Sequence, residues 1–485
     1  MKKVVVAGAG LGGLETAYIL AKNGFQVTVL EKHRTVGGAL QSFCRNGELF
    51  DTGFHYVGGL EQGQSLYDRF KYLNLLHLPW HRLDKECFDR IIIDGNSYVH
   101  ANGHKQFAEK LAIQFPSERE SLLRFAGLIR ETAAAVMSNF ADGSRTFDNP
   151  LYTQSTLQVL QTIFKDRLLI DVIGASGSKI DLTNNDLPFF VFAEIFNSYI
   201  ESAWRLDGPG SLIADSLAQD IRSMGGTICC NRQVTGINTR NGIATGVTTS
   251  NQEFYPADLV ISDIAPSVTL DLIDQPGVIR NIYRRRIENL DKSLGMFTVN
   301  IRLKQESVPY LNSNLFIFRN SSPWSTCQDS SISDRAMVSF RPCLTSSFCS
   351  NIDLLAPMSW NMVEKWAGTT VGHRGPDYLE FKERKAKELI SLVSPHIQTK
   401  ENADFSECIE SYSTSTPLTW TDYTGTPQGS AFGIVKKSSE LEKTMLSVRT
   451  PVENLYLTGQ NINLHGIMGV TMTAWLTCQK ICQIQ

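Results

Sequence analysis

The sequence predicts an α/β protein: a parallel sheet assembled from widely separated stretches of chain, with an α+β domain built from the residues between them. Three observations predict it. A strand, glycine turn, helix and second strand succeed one another within the first 38 residues. Buried, β-branched strands of the same character return at residues 205–285 and 450–485. From residue 103 to about 204 the hydrophobic spacing turns helical instead, and helices laid on a sheet are the layers that such alternation builds.

The N-terminal unit comes first. Val4-Val5-Val6-Ala7 is a short apolar run without polar alternation, as suits a strand buried on both faces of a parallel sheet. Gly8-Ala9-Gly10-Leu11-Gly12-Gly13 contains G-x-G-x-x-G at Gly8, Gly10 and Gly13. The first glycine permits the tight turn, the second lets a pyrophosphate approach bare backbone, and the third lets the next helix pack close to the strand. Residues 14–23 supply that helix, whose N-terminal amides would face phosphates, and Gly24 ends it. Residues 25–30 form the second strand, with Glu31 at its carboxyl end, where a carboxylate accepts hydrogen bonds from ribose hydroxyls and disfavours a 2′-phosphate. Leu11 and Gly12, within the turn, and Lys32, just after Glu31, belong to the same expected dinucleotide site.

Beyond Glu31, Gly37-Gly38 completes E-x5-G-G, followed by Ala39. This extended pattern resembles the FAD fingerprint of the amine oxidase and phytoene desaturase superfamily, and the resemblance implies FAD held by a Rossmann-like domain. Only one such fingerprint is present. The electron donor or acceptor is therefore left open.

Composition bounds the rest. With 485 residues, 42% hydrophobic and 20% charged, the chain has the material of a globular protein with more than one domain. A net charge of -3 gives no general attraction to nucleic acid. No run of apolar residues is long enough to span a bilayer, and glycines and Glu15 interrupt the apolar run that a signal peptide needs. A cytoplasmic location is expected. The ten cysteines form no C-x2-C pair and are read as buried reduced thiols, and no metal site is expected.

Further along, residues 50–59 are rich in glycine and aromatics and contain His55. The stretch resembles F-D-x-G-x-H of the phytoene desaturase and retinol saturase family, which lies beside the flavin. His55 is either a proton donor or flavin-orienting group, or a satisfied loop histidine. Residues 90–99 read as a strand and turn, closing the first part of the nucleotide domain at residue 103. Helical spacing follows at 104–115, 117–138 and 157–173. Phe189, Phe192, Phe196 and Tyr199 share one helical face, as a core stripe or as the wall of a tunnel for a long lipid. A helix at 211–224, with Ser211 as its cap, leads into strands and a hairpin through Asn241-Gly242, then a buried strand at 257–263. This order resembles the second FAD-contacting segment of the superfamily, where the residue matching Val234 touches the adenine end. A strand at 296–303 and an amphipathic helix at 378–393 belong to the second domain.

The stretch from Thr416 to Gly433 is dense in turn residues and too glycine-rich for a regular element. It contains Y-x-G-x-P-x-G beginning at Tyr423 and resembles retinol saturases and carotenoid isomerases, a resemblance that implies Tyr423 at the substrate. Last, Leu457-Thr458-Gly459-Gln460 ends a strand, and His465 to Val470 opens a helix. That helix start, including Gly469 and Val470, would seat the flavin pyrimidine edge, because reduction leaves negative charge there for a dipole to stabilise. The superfamily has an acid where Gln460 stands.

These readings give an FAD-binding domain at 1–103, 205–285 and 450–485, and a substrate domain at 104–204 and 286–449. The resemblance implies an FAD-dependent oxidoreductase acting on a carbon–carbon bond of an apolar polyene or isoprenoid-like lipid, with saturation favoured. Desaturation, isomerisation, amine oxidation and a non-catalytic flavin-binding lipid carrier are the alternatives. Peripheral membrane contact would follow from such a substrate.

Overall fold

The computed structural model describes residues 1–141, 150–182, 185–275, 277–325, 334–343 and 345–482. The chain enters through β1 (Lys3–Ala7), turns into α1 (Leu11–Lys22) and returns as β2 (Gln26–Leu30). A hairpin follows, β3 (Asp89–Ile93) and β4 (Asn96–His100). After a helical stretch come α2 (Phe189–Glu201), α3 (Ser211–Ser223), β5 (Thr227–Cys229) and β6 (Leu259–Ser262). The remainder supplies β7 (Gly295–Leu303), β8 (Asn314–Phe318), β9 (Arg335–Pro342), β10 (Cys349–Met358), β11 (Ile409–Ser415), α4 (Pro417–Thr424), β12 (Leu455–Leu457) and α5 (Gly466–Gln479).

Two large sheets result. The first has five strands in the order β5-β2-β1-β6-β12, all parallel. Its central strand β1 is buried on both faces, which is why Val4, Val5 and Val6 show no polar alternation. The second has seven strands in the order β11-β7-β10-β9-β8-β3-β4, antiparallel except where β8 meets β3. The carboxyl ends of the first sheet, where ligands bind in such folds, therefore receive loops from three distant parts of the sequence.

Several expectations are corrected. The hairpin at 89–100, counted with the nucleotide domain, hydrogen-bonds into the second sheet. Its triple isoleucine is buried, and a fully apolar run is satisfied only with neighbours on both sides. Helix α1 begins at Leu11 rather than residue 14, so Gly12 and Gly13 lie inside it. The expected helix at 157–173 is two, Thr156–Ile163 and Arg167–Gly174, the second capped by the Asp166 side chain on the Leu168 and Leu169 amides. Ser211 does not cap α3. Gly210 does, and the Asp51 carboxylate and Ser42 hydroxyl take the amides of Gly210 and Ser211.

The glycine-rich stretch after residue 415 is not irregular throughout. Thr416 and Thr419 form a reciprocal capping box, Pro417 fills the first turn, and Gly425 closes α4 in the left-handed conformation. Nine cysteines are free, Cys44 exposed among them, so not all are buried thiols; Cys327 lies outside the described residues. No helix among the described residues is long and apolar enough to cross a membrane.

His100, at the end of β4, gives a test of the core. Its ring packs 5.2 Å from Phe107 and 5.7 Å from Phe196, and beyond the Val172 backbone its nitrogens have no hydrogen-bond partner among the described residues. Burial pushes its pKa down to about 4. The folded state thus refuses a proton that the unfolded chain accepts below about pH 6.5, so stability is full above that value and is lost as pH falls toward 4. Replacing His100 with phenylalanine is expected to narrow the unfolding free-energy gap between about pH 7.5 and about pH 5 by ~2 kcal/mol, measured by urea titration at each pH.

Candidate functional site

The glycine loop is shaped by close backbone approach. Gly8 has φ +103°, a conformation open to glycine, and a Cβ on Gly13 would overlap the Gly8 carbonyl oxygen. The second glycine pair packs onto the first: Gly37 N–H donates to Ala9 O at 2.7 Å, and a Cβ on Gly38 would come within 3.1 Å of the Gly10 Cα. Glu31 locks this corner, its Oε2 accepting from Ala9 N–H at 2.9 Å and its Oε1 from His33 N–H at 2.9 Å. A carboxylate has lone pairs left for ribose hydroxyls after two such bonds.

A cavity of about 440 Å³ opens from this corner. Gly8, Gly10, Leu11, Gly12, Glu31, Lys32, Gly37, Gly38 and Ala39 line it, as do Val234, Gly459, Gln460 and Val470. Three stretches more than 190 residues apart in sequence therefore meet in one place. Neither α1 nor α5 has a side-chain cap on its N-terminus, and Gly466, Ile467 and Val470 of the first turns of α5 also face the cavity. Such helix starts keep amide donors for anionic ligand groups. Glycines that tolerate no Cβ, a ribose-ready carboxylate and two open helix N-termini fit FAD. Gly13 and Gly469 are set back: Gly13 abuts Gly8, and a Cβ on Gly469 would overlap the backbone of Leu464, so Gly469 serves helix packing rather than lining the cavity.

The other expected residues divide. Phe189, Phe192 and Phe196 are not in the cavity wall. Phe192 stacks on Phe196 at 4.9 Å, and Phe196 packs against Phe107 and Phe125 of the helices His104–Gln114 and Arg119–Ala141. They are core, because the helical insert covers that face of α2; only Tyr199, near its end, reaches the cavity. Tyr423 lines the cavity but stacks beside His33, 6.2 Å between ring centres, at the end marked by Glu31 rather than at the expected substrate end.

His55 lines both the large cavity and a polar chamber of about 20 Å³, room for one water. Asp51, Arg205, Arg341 and Asp353 wall that chamber. His55 Nδ1 lies 3.7 Å from Asp353 Oδ2, and its Nε2 has no partner among the described residues. Burial lowers the His55 pKa to about 4, outweighing the pull of Asp51, so the ring is neutral near pH 7. Burial raises Asp353 to about 6 against the opposing Arg341 charge.

Two residues went unread. Lys179 lines the cavity with its Nζ 2.9 Å from Asp89 Oδ2 and 3.9 Å from the centre of the Tyr199 ring. Asp89 also accepts from Tyr56 Oη at 2.8 Å and Asn314 Nδ2 at 2.9 Å. Burial lowers the Lys179 pKa, and Asp89 works against that shift. No local signal could have paired residues 90 positions apart. Asp263, after β6, lies under the glycine loop, and its strand-end position was its only signal. Among the described residues no three His, Cys, Asp or Glu are grouped to hold a metal ion.

Comparison with known proteins agrees with this geometry. The model of the family described as flavin containing amine oxidoreductase matches residues 11–482. The chain is 26% identical to human all-trans-retinol 13,14-reductase over 99% of this chain and 85% of that one. It is 22% identical to 4,4'-diapophytoene desaturase (4,4'-diapolycopene-forming) of Methylomonas sp, over 62% of this chain and 61% of the other. Among solved structures, an oxidoreductase from Methanosarcina mazei superposes with a TM-score of 0.66 at 17% identity, covering 98% of this chain and 100% of that one.

Proposed function

This chain belongs to the flavin-containing amine oxidoreductase family and is an FAD-dependent oxidoreductase, and from that premise we propose that it acts on a carbon–carbon bond of an apolar polyene or isoprenoid-like lipid, in the direction of saturation. The apolar part of the cavity lining carries this reading. Met296, Met337, Leu355, Trp420 and Phe432 give it uncharged walls. The ammonium that does stand there, Lys179, belongs to the protein and already lies over Tyr199. A substrate amine would meet that ammonium, because Lys179 lines the cavity and its counter-charge Asp89 does not. Apolar walls accept an extended lipid.

Hydride transfer at the flavin is the chemistry that FAD supplies when bound. The chain's own residues would hold FAD at the glycine loop, Glu31 and the start of α5, and would orient an apolar substrate between methionines and aromatic rings while excluding water. His55, neutral and lining both the cavity and the polar chamber, would relay a proton by accepting it at one ring nitrogen as it gives one up from the other, so that no charge stays in the cavity. Similarity to a retinol reductase over nearly the whole chain supports saturation; similarity to a diapophytoene desaturase supports desaturation or isomerisation as the second reading. An electron donor or acceptor of unassigned identity, and a cytoplasmic location with peripheral bilayer contact, belong to the same proposal.

The test is anaerobic. The bound flavin is photoreduced, all-trans-retinol, carotenoids or other unsaturated lipids are added, and flavin absorbance and product mass are followed. Reoxidation with a product heavier by one hydrogen molecule is the expected result. Products of unchanged mass would mean isomerisation; in a parallel assay in air with the flavin oxidised, peroxide release with simple amines would overturn the apolar reading. A flavin that responds to no lipid, in protein carrying bound lipid, would make it a carrier.

A further inference from the structure

The carboxyl of Asp263 occupies the space that the missing side chains of the glycine loop leave open. A Cβ on Gly10 would come within 2.5 Å of its Oδ2, one on Gly12 within 2.7 Å of its Oδ1, and one on Gly459 would overlap Oδ1. The backbone N–H groups of Gly13 and Gly10 donate toward it. Those amides belong to the open N-terminus of α1, the donors that an incoming pyrophosphate would use. Other acids face the same spot. Glu31 stands at the end of β2 and Glu15 on α1, and both act electrostatically on Asp263 or are acted on by it. Glu15 is wholly buried, with one oxygen accepting from the Thr471 hydroxyl at 2.7 Å and the other without a partner among the described residues.

A helix N-terminus offers about half a positive charge. It cannot neutralise a pyrophosphate and an ionised Asp263 together, with Glu31 alongside. We propose that FAD enters this site together with a proton, taken from solvent, which converts the Asp263 carboxylate into a neutral acid and frees the amides of α1 for the pyrophosphate. This rests on the FAD assignment alone and not on which lipid is the substrate. The ionisation lies in an accessible range. Burial raises Asp263 to about 7 before any cofactor is present, the Gly13 and Gly10 amides pulling the other way and Glu31 pushing further up. Pyrophosphate charge raises it again. Glu15 is raised by burial to about 8, which makes it the competing source of any proton uptake.

The experiment uses protein freed of FAD by dialysis against bromide and titrated with FAD between about pH 6.5 and about pH 9, following flavin fluorescence. For the wild type, the dissociation constant is expected to rise with pH by up to about tenfold per unit. Calorimetry in buffers of unlike ionisation enthalpy should then register net proton uptake per FAD bound. Asp263→Asn should flatten the profile and bind FAD more tightly than wild type at the alkaline end. A flat wild-type profile, or an Asp263→Asn protein that binds FAD more weakly at every pH, would overturn the proposal. So would a slope that survives in Asp263→Asn and disappears in Glu15→Gln, which would assign the proton to Glu15. Wild-type protein that takes up no FAD at any pH would sink the cofactor assignment itself, a result distinguishable from the others.

Discussion

Gly13→Val is expected to yield a folded protein that purifies without yellow colour and binds added FAD at least about a hundredfold more weakly, a loss of ~3 kcal/mol. The first atom of the new side chain overlaps the Gly8 carbonyl oxygen, and Asp263 crowds the same position from the other side. The carbonyl is backbone and cannot swing aside, so α1 must move away from the turn. The shift opens the corner where Glu31 binds the Ala9 amide and Gly37 donates to Ala9 O. Overpacking of this kind costs about 1–3 kcal/mol in stability as well. Gly127→Ala is the control. It lies in the helix Arg119–Ala141, where a Cβ would meet nothing within 4 Å. That change should leave FAD binding untouched and add ~1 kcal/mol of stability through helix propensity. Absorbance spectra of both proteins after incubation with FAD and desalting read the outcome; a yellow Gly13→Val protein would contradict it.

Lys179→Met is expected to destabilise the protein by ~3–5 kcal/mol, because it leaves the Asp89 charge buried without its cation. Asp89 has no exposed surface, and Lys179 is 8% exposed. The hydrogen bonds from Tyr56 and Asn314 remain but do not replace a positive charge. Removing both charges in Lys179→Met/Asp89→Asn should recover more than half of the loss, since two groups of similar size then stand side by side without a net charge. Urea unfolding of the wild type, the single and the double variants measures it. A double variant no better than the single would mean that the pair acts through packing alone. The same single variant removes the like charge that a substrate amine would meet, so weak turnover of simple amines should appear in Lys179→Met and not in the wild type.

The corner of the site was legible because its chemistry is local. A turn that needs φ above zero, a helix that packs close, and an acid a fixed distance on all leave their marks within about 40 residues of sequence. The start of α5 was legible for the same reason. What could not be read is partnership across the fold. The spacing of Phe189, Phe192 and Phe196 gives a helical face correctly, but whether that face meets a cavity or other helices depends on where Phe107 and Phe125 fall. Asp89 and Lys179 share no motif, and neither belongs to an element that predicts the other. The missed helix α4 is a different kind of failure. Thr416, Pro417 and Thr419 carry its start signals in the open, and the glycines that suggested irregularity lie at and beyond its end.

The order of strands in the parallel sheet sets a schedule for biosynthesis. Strand β6 pairs with β1 on one side and β12 on the other. The glycine turn follows β1, while Gly459 and Gln460 follow β12 and reach the same cavity. During translation, more than 450 residues must leave the ribosome before the sheet edge at β6 is covered and the cofactor pocket can close. Until then the nascent chain exposes an unpaired edge. Long-range parallel pairing of this kind is slow to form and open to aggregation. Expression of this protein should therefore respond to chaperone supply and lowered temperature more than a chain with locally paired strands would.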